Sequence, residues 1–257
     1  MGLALLRTLL LAAISAVVAA GAATAAGPVV LFDQGHGQRF VVDREGTLDL
    51  SGFAGAFREA GWQIRTSRGK LTPEILTGVS AVVASGPFAP YTSEEVGALV
   101  RFVRGGGRLA VMLHIAPGFE NLLGVLSISA AGGVASEKEN LLGKGPQDFR
   151  VVQLEKHPVT EGLPGFAVYG AWPVAAGGSD AKVIARTTPS AWIDLDRDRT
   201  LSEGETAGTL GIAVAGTFGQ GSFVVFGDDA LFQNRFLSGD NLTLARNLAR
   251  WLSAQAL

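Results

Sequence analysis

The residues of this chain able to move protons or hold a metal are few, and their spacing sorts them into small groups. The run Asp33-Gln34-Gly35-His36-Gly37-Gln38-Arg39 puts a carboxylate, an imidazole, a carboxamide and a guanidinium within one short loop. His114 stands alone behind an apolar run, and Asp228-Asp229 with Asn234 form a third group. An imidazole titrates near neutral pH, and carboxylates accept protons or coordinate cations. Together they could perform acid–base work or hold a divalent metal. No H-x-H or H-E-x-x-H spacing strengthens the metal reading. The quieter alternative is that Asp33 and Asp228 accept hydrogen bonds from loop amides and Gly35 and Gly37 let the turn bend, while His114 is simply packed. His157 precedes Pro158, and there the proline fixes a turn, so the histidine reads as structural.

A second pattern is sharper. From Asp194 to Glu205, carboxylates occupy the first, third and fifth positions (Asp194, Asp196, Asp198). Thr200 can offer its carbonyl, Ser202 follows, and Glu205 can bind through both oxygens. Calcium takes about six to eight hard oxygens in a flexible shell, and this loop can supply them. It resembles an EF-hand loop, down to the apolar Leu201, with two departures. Arg199 stands where glycine makes the sharp turn, at a cost of roughly 1 kcal/mol of strain. Strand-like rather than helical segments flank the loop. A bound calcium would be structural and weakly held, with a Kd of about 10⁻⁴ to 10⁻³ M. The alternative is a solvated acidic turn whose Arg197 and Arg199 neutralise the aspartates.

The elements that position these groups follow from hydrophobic periodicity. Residues 1–26 read as an export signal: Arg7, an apolar Ala-rich run, then Ala23-Thr24-Ala25 as a cleavage site. Membrane association is expected only if that segment stays uncleaved, and the location is periplasmic or secreted. Residues 27–257 are long enough for one core, and one domain is expected. The net charge of −2 and the lack of any basic run speak against nucleic acid. There is no cysteine, so no disulfide helps the core.

Short apolar runs at 29–32, 63–66, 80–84 and 109–113 suit buried strands, alternating with helical spacing at 50–60 and after Thr92. Thr92-Ser93-Glu94-Glu95 is a capping box, Gly105-Gly106-Gly107 stops that helix, and another helical segment follows from about Glu120. Such βα units imply a parallel, doubly wound sheet. Further strands are expected at 151–154, 182–186, 191–193, 210–215 and 222–226. Residues 216–221 read as a hairpin loop, because a strand rather than a helix follows the glycines. Residues 130–149 read as a mobile surface loop. Asp240 is expected to cap a final helix burying Leu244, Leu248, Trp251 and Leu252. Trp62, Trp172 and Trp192 read as packing residues.

In this order the motifs carry a resemblance. They are Phe32-Asp33-Gln34-Gly35-His36-Gly37, Ser93-Glu94-Glu95-Val96, the run from Phe102 to Leu109, Asn121-Leu122-Leu123, His157-Pro158 to Gly162, Gly227-Asp228-Asp229 to Asn234, and the final Asn241, Asn247 and Trp251. The chain resembles exported amidotransferase-like domains, similar to the one in gliding-motility ABC-transporter auxiliary proteins and more distantly to that in intraflagellar-transport proteins. The resemblance implies an α/β, flavodoxin-like or class I glutamine amidotransferase-like three-layer sandwich. Its sheet would be mostly parallel, with a C-terminal β-hairpin and a final helix. Catalytic members of that fold end a strand in a Cys-His pair on a strained elbow; here the pair is Leu113-His114. The expectation is therefore a non-catalytic cell-envelope domain binding a small ligand or a protein partner, or an accessory subunit of a transporter. The alternative is a metal-dependent hydrolase using Asp33, His36, His114 and Asp228. In an open α/β sheet, ligands bind beyond the carboxyl ends of the strands. Asp33, His36, Gln38, Arg39, His114, Asp228, Asp229 and Asn234 are expected there.

Overall fold

The computed structural model describes residues 27–114 and 118–253. The predicted export segment, 1–26, lies outside the described residues, as does the turn 115–117 expected after His114. The first half alternates strands and helices in the order β1 (Val29–Asp33), α1 (Ser51–Glu59), β2 (Gln63–Ser67), β3 (Ala81–Ser85), α2 (Ser93–Arg104), β4 (Arg108–Met112) and α3 (Glu120–Val125). The second half is β-rich: β5 (Ile128–Ala130), β6 (Val134–Ser136), β7 (Asp148–Val151), β8 (Gln153–Leu154), β9 (Phe166–Tyr169), β10 (Val174–Ala176), β11 (Ala181–Arg186), β12 (Trp192–Asp194), β13 (Gly211–Phe218) and β14 (Gly221–Phe226). It closes with α4 (Gly239–Ser253).

Eight strands form the central sheet in the order β2-β1-β3-β4-β14-β13-β11-β8. The pairs from β2 to β14 are parallel; those joining β13, β11 and β8 are antiparallel. The fold is mixed α/β with a large, mostly parallel sheet, compatible with a flavodoxin-like arrangement.

Because side chains alternate across a strand, each parallel strand feeds two cores. Val30, Phe32, Val83, Met112 and Phe226 meet Phe53 and Phe57 of α1 and Leu244 and Leu248 of α4 on one face. Leu31, Val82, Leu109, Val111 and Val225 meet Val96, Leu99 and Val103 of α2 and Leu122 and Leu123 of α3 on the other. This two-sided burial explains why the strands read as unbroken apolar runs. The Thr92 box is present, with the Thr92 hydroxyl accepting the Glu95 amide and the Glu95 carboxylate accepting the Thr92 amide.

The second half departs from expectation in four places. Residues 130–149 are not one surface loop: β6 pairs antiparallel with β12, and Val134, Ala135 and Ser136 are buried. Three residues are too short a run to signal a strand amid Gly, Lys and Glu. The strand expected at 151–154 is two strands, β7 pairing with β9 and β8 with β11. The hairpin is tighter than expected, since Phe218 pairs with Gly221 and only Gly219 and Gln220 form the turn. Asp240 lies inside the first turn of α4 rather than ahead of it, and its carboxylate accepts Arg150 Nη2 at 2.6 Å.

Candidate functional site

The sheet places β2 and β3 on opposite sides of β1, so the strand order reverses there, and the loop leaving β1 sits at the topological switch point. That loop holds His36 in a box of polar groups. Nδ1 of His36 lies 2.8 Å from Asp33 Oδ2, and Nε2 lies 2.9 Å from Glu95 Oε1. Gln38 Nε2 donates to Asp33 Oδ2 at 2.8 Å, and the Tyr91 hydroxyl donates to the same oxygen. The Tyr91 ring stacks on the imidazole with centroids 3.9 Å apart.

Both histidine nitrogens face carboxylates, which only accept, so the arrangement is satisfied by an imidazolium. Burial opposes that charge, but the Asp33 hydrogen bond and the charges of Asp33 and Glu95 outweigh it, and the pKa of His36 rises above its usual value. Glu95 runs the other way. Burial pushes its carboxyl up, but the Thr92 and Leu71 amides, the Thr92 hydroxyl and His36 hold it below the ordinary range. Tyr91 and Glu95 are members of this box that sequence reasoning missed. Glu95 was legible only as a helix cap, and it serves as cap and counter-ion at once.

A second cluster lies at the ends of β4 and β14. Leu113 is the first residue past β4; its amide bonds Phe226 O at 2.9 Å and its side chain is 5 % exposed, packed into the α2/α3 core. His114 Nδ1 lies 2.8 Å from Asp229 Oδ1, and its ring meets Phe40 and Phe88 at centroid distances of 5.6 and 5.1 Å. Arg39 lies over the Phe88 ring at 4.7 Å. Asp228 turns inward, accepting the Tyr169 amide at 2.7 Å and the Ala230 amide at 2.8 Å. Gly86, with φ of 51°, permits this packing, because a Cβ there would lie 2.3 Å from the Asp229 carboxylate. Burial and the neighbouring Asp229 charge push the Asp228 carboxyl up to about 7, and burial also raises Asp229 against the pull of His114. Burial lowers His114, but the Asp229 bond and the charges of Asp229 and Asp228 leave its pKa raised.

His114 also lines a cavity of about 410 Å³ with Leu113, Phe119, Leu123, Ile128 and Trp172. The Trp172 Nε1 is buried and has no hydrogen-bond partner among the described residues. The expected convergence is therefore partial. Asp33, His36 and Gln38 form one cluster and His114, Asp228 and Asp229 another, with Phe88 between them. Asn234 is elsewhere: it accepts the Gly52 amide and donates to Gly46 O and Ser51 Oγ, tying the last turn to the start of α1. Among the described residues, no three acidic or imidazole groups of these clusters bring ligand atoms close enough to share one metal, so the four residues of the hydrolase reading do not converge.

The acidic loop does gather its oxygens. One carboxylate oxygen from each of Asp194, Asp196 and Asp198 lies within 4.8 Å of the others. Asp194 is fully buried, accepting the Arg197 amide at 2.7 Å, the Arg199 amide at 3.2 Å and Gln147 Nε2 at 3.0 Å. Glu205 accepts the Leu195 amide at 2.7 Å and the Ser202 amide at 3.0 Å. Thr200 donates its amide and hydroxyl to Asp198, and the Ser202 hydroxyl points there too. Arg199 adopts a left-handed φ of 67°, the conformation expected of a glycine at that place, and Arg197 does so as well at 66°.

Raised carboxyl and imidazole pKa values have one sign in stability. Asp228 binds its proton more tightly folded than unfolded, so its contribution is complete below the ordinary 3.8 and is lost as pH rises through about 7. His36 and His114 act in the same direction. Asp228 should make unfolding free energy fall between about pH 4 and pH 7, His157 opposing it below its ordinary 6.5, and Asp228→Asn should remove that fall. Chemical unfolding across that range checks this, and a slope unchanged in the variant contradicts it.

Comparison with known proteins matches this architecture. The fold resembles the mmIFT52 N-terminal domain, with a TM-score of 0.70 at 17 % identity over 89 % of this chain and 99 % of that one. It also resembles a cytoplasmic protein, STM1381, from Salmonella typhimurium LT2 (TM-score 0.58, 15 % identity, 88 % and 100 % coverage). A putative ThuA-like protein from Bacteroides uniformis is similar as well (TM-score 0.55, 14 % identity, 88 % and 91 % coverage). At these identities the likeness is one of fold. No curated protein matches the chain in sequence. The model of a domain of unknown function, DUF4350, matches residues 42–249, which is most of the chain, and the chain belongs to that family.

Proposed function

We propose that the chain is a binding domain of the cell envelope, without catalytic chemistry, whose ligand occupies the cavity beside Leu113 and His114. The finer architecture proposed is the class I glutamine amidotransferase-like three-layer sandwich. The single observation that carries the reading is the aliphatic Leu113 at the end of β4, buried beside a histidine that already has a carboxylate partner. In the catalytic relatives of that architecture a thiol stands at this position, and a leucine has no nucleophile to activate. The cavity lining is largely apolar with a few polar groups, as in small-molecule sites. Asp229 fixes the His114 ring through Nδ1 and leaves Nε2 to meet a ligand, which favours one carrying an acceptor oxygen. The occupant this supports is a small apolar molecule with a carbonyl or carboxylate. A protein partner, including transporter components, is the other arm of the same proposal and rests on family analogy.

The cavity can be filled without disturbing the core. Gly124 lines it, and a Cβ added there meets no atom within 4 Å. Gly124→Trp should leave the fold intact and abolish the stabilisation that small aryl or alkyl carboxylates give the parent protein in a thermal-shift series. Equal stabilisation of both proteins, or of neither, counts against the cavity as the site.

We also propose that residues 194–205 hold calcium as a structural clip. Support comes from the donor set, which is hard oxygen throughout, and from the clustering of three carboxylates in a loop bent by left-handed residues. Export through residues 1–26 rests on their composition and is proposed with it, since extracellular calcium is abundant enough for a weak site. One preparation checks both readings. Protein recovered from the envelope or medium should begin at Ala26 or Gly27, and should melt higher in millimolar calcium than in chelator, with the rise absent in Asp196→Ala. An intact Met1 in a cytosolic fraction sinks the first reading, and superimposable melting curves sink the second.

A further inference from the structure

The amino ends of the strands carry a second concave site, with no residue in common with the His114 cavity. Arg108 opens β4, Gly221 and Ser222 open β14, and Ala181 and Lys182 open β11. With His157, the hairpin turn and Trp251 of α4 they line a cavity of about 410 Å³. Hairpin loops of this glycine content do not cradle anions by themselves, because no helix N-terminus follows. The charged side chains around this one change the question.

Two cations face the cavity. The Arg108 guanidinium donates to Trp251 O and lies over the indole ring at 5.5 Å. Lys182 is exposed on the rim. Neither lies within salt-bridge distance of a carboxylate among the described residues, where the ion pairs use other groups. Burial of Arg108 lowers its pKa, which reports a guanidinium partly stripped of water. A desolvated cation without a counter-ion is costly, and an anion in contact with it offsets that cost.

A third donor completes the set. His157 Nδ1 accepts the Val159 amide at 3.2 Å. Burial first, and Lys182 second, push the ring's pKa down to about 4, so at neutral pH it is uncharged. With Nδ1 accepting, the ring's one proton lies on Nε2, a donor with no partner among the described residues. Its ring meets the Trp251 indole edge-on at 5.4 Å. Against these donors stands Asp180, an exposed carboxylate on the rim, so the lining keeps an excess of positive charge.

The geometry points to an oxyanion site: Arg108, Lys182 and His157 Nε2–H bind the phosphate or sulfate group of a small organic ester, whose body rests in the cavity beside Trp251. Arg supplies a planar fork of donors and Lys a point charge, the two recurring ways of holding a phosphate. The same group is offered by a soluble sugar phosphate or by the headgroup of an acidic lipid, and the test separates them.

Calorimetric titration of the purified protein with inorganic phosphate and with glucose 6-phosphate, and flotation with phosphatidic acid vesicles against phosphatidylcholine vesicles, are the measurements. Saturable binding is expected in the millimolar range or tighter. Lys182→Gln, whose ammonium is exposed and has no structural partner, should weaken it by about tenfold, the loss of one charge-assisted hydrogen bond. Lys182→Glu should abolish it, and Arg108→Gln should do the same where that variant folds. Binding of the soluble esters identifies a metabolite source; binding confined to phosphatidic acid vesicles and lost in Lys182→Glu identifies a lipid one. No binding to any of these probes, or binding indifferent to both Lys182 substitutions, overturns the proposal. The cavity beside His114 is untouched by these variants, so either outcome leaves the reading of that site to its own test.

Discussion

The constraint on which the carboxyl end of the sheet depends is a buried imidazole clamped between two buried carboxylates. His36 joins three pieces of chain that are remote in sequence: its own loop after β1, the amino end of α2 through Glu95, and through the same Glu95 oxygen the amide of Leu71. A buried ion pair gives little net stability relative to apolar packing, but breaking one partner leaves an uncompensated charge worth about 3–5 kcal/mol. The clamp therefore fixes geometry more than it adds stability. Through the Phe88 and Ala89 amides, which both donate to His36 O, it fixes the loop after β3 that packs against His114. The His36 box is closed on itself, and that is why the reactive-looking motif at the switch point reads as a scaffold for the neighbouring cavity.

Much of this was legible in the sequence where the physics is local or strongly periodic. The parallel strands announced themselves because both faces are buried, and α2 because its capping box is a short-range arrangement. The pairing of Asp33 with His36 follows from their three-residue separation. What escaped was non-local. Glu95 lies 59 residues from His36, and nothing in the chain between them signals the contact. Tyr91 lies 58 residues from Asp33, and nothing local to it signals that contact. Asn234 follows a conspicuous Asp-Asp pair, but a short turn over Ala230–Phe232 carries it away from the cavity to the start of α1. The small strands β5, β6, β9 and β10 were missed because three or four residues cannot show a period, and they exist through pairing with distant partners. The acidic loop is the reverse case: its spacing was legible, and the left-handed turn at Arg199 follows the spacing rather than the residue type.

The two ends of the sheet now have different characters. At the carboxyl end, carboxylates and histidines pair with one another beside a largely apolar cavity that His114 lines. At the amino end, Arg108 and Lys182 line a polar hollow and have no salt-bridge partner among the described residues. Membership of DUF4350 and likeness to the mmIFT52 N-terminal domain set the architecture and leave the chemistry to these local arrangements.

The proposed absence of catalysis is the central claim, and turnover is its most direct test. Purified protein, with and without added divalent metal, should hydrolyse chromogenic esters, amides and glycosides no faster than its His114→Ala variant, at rates indistinguishable from buffer. A rate above buffer that is lost when His114 or His36 is replaced contradicts the account.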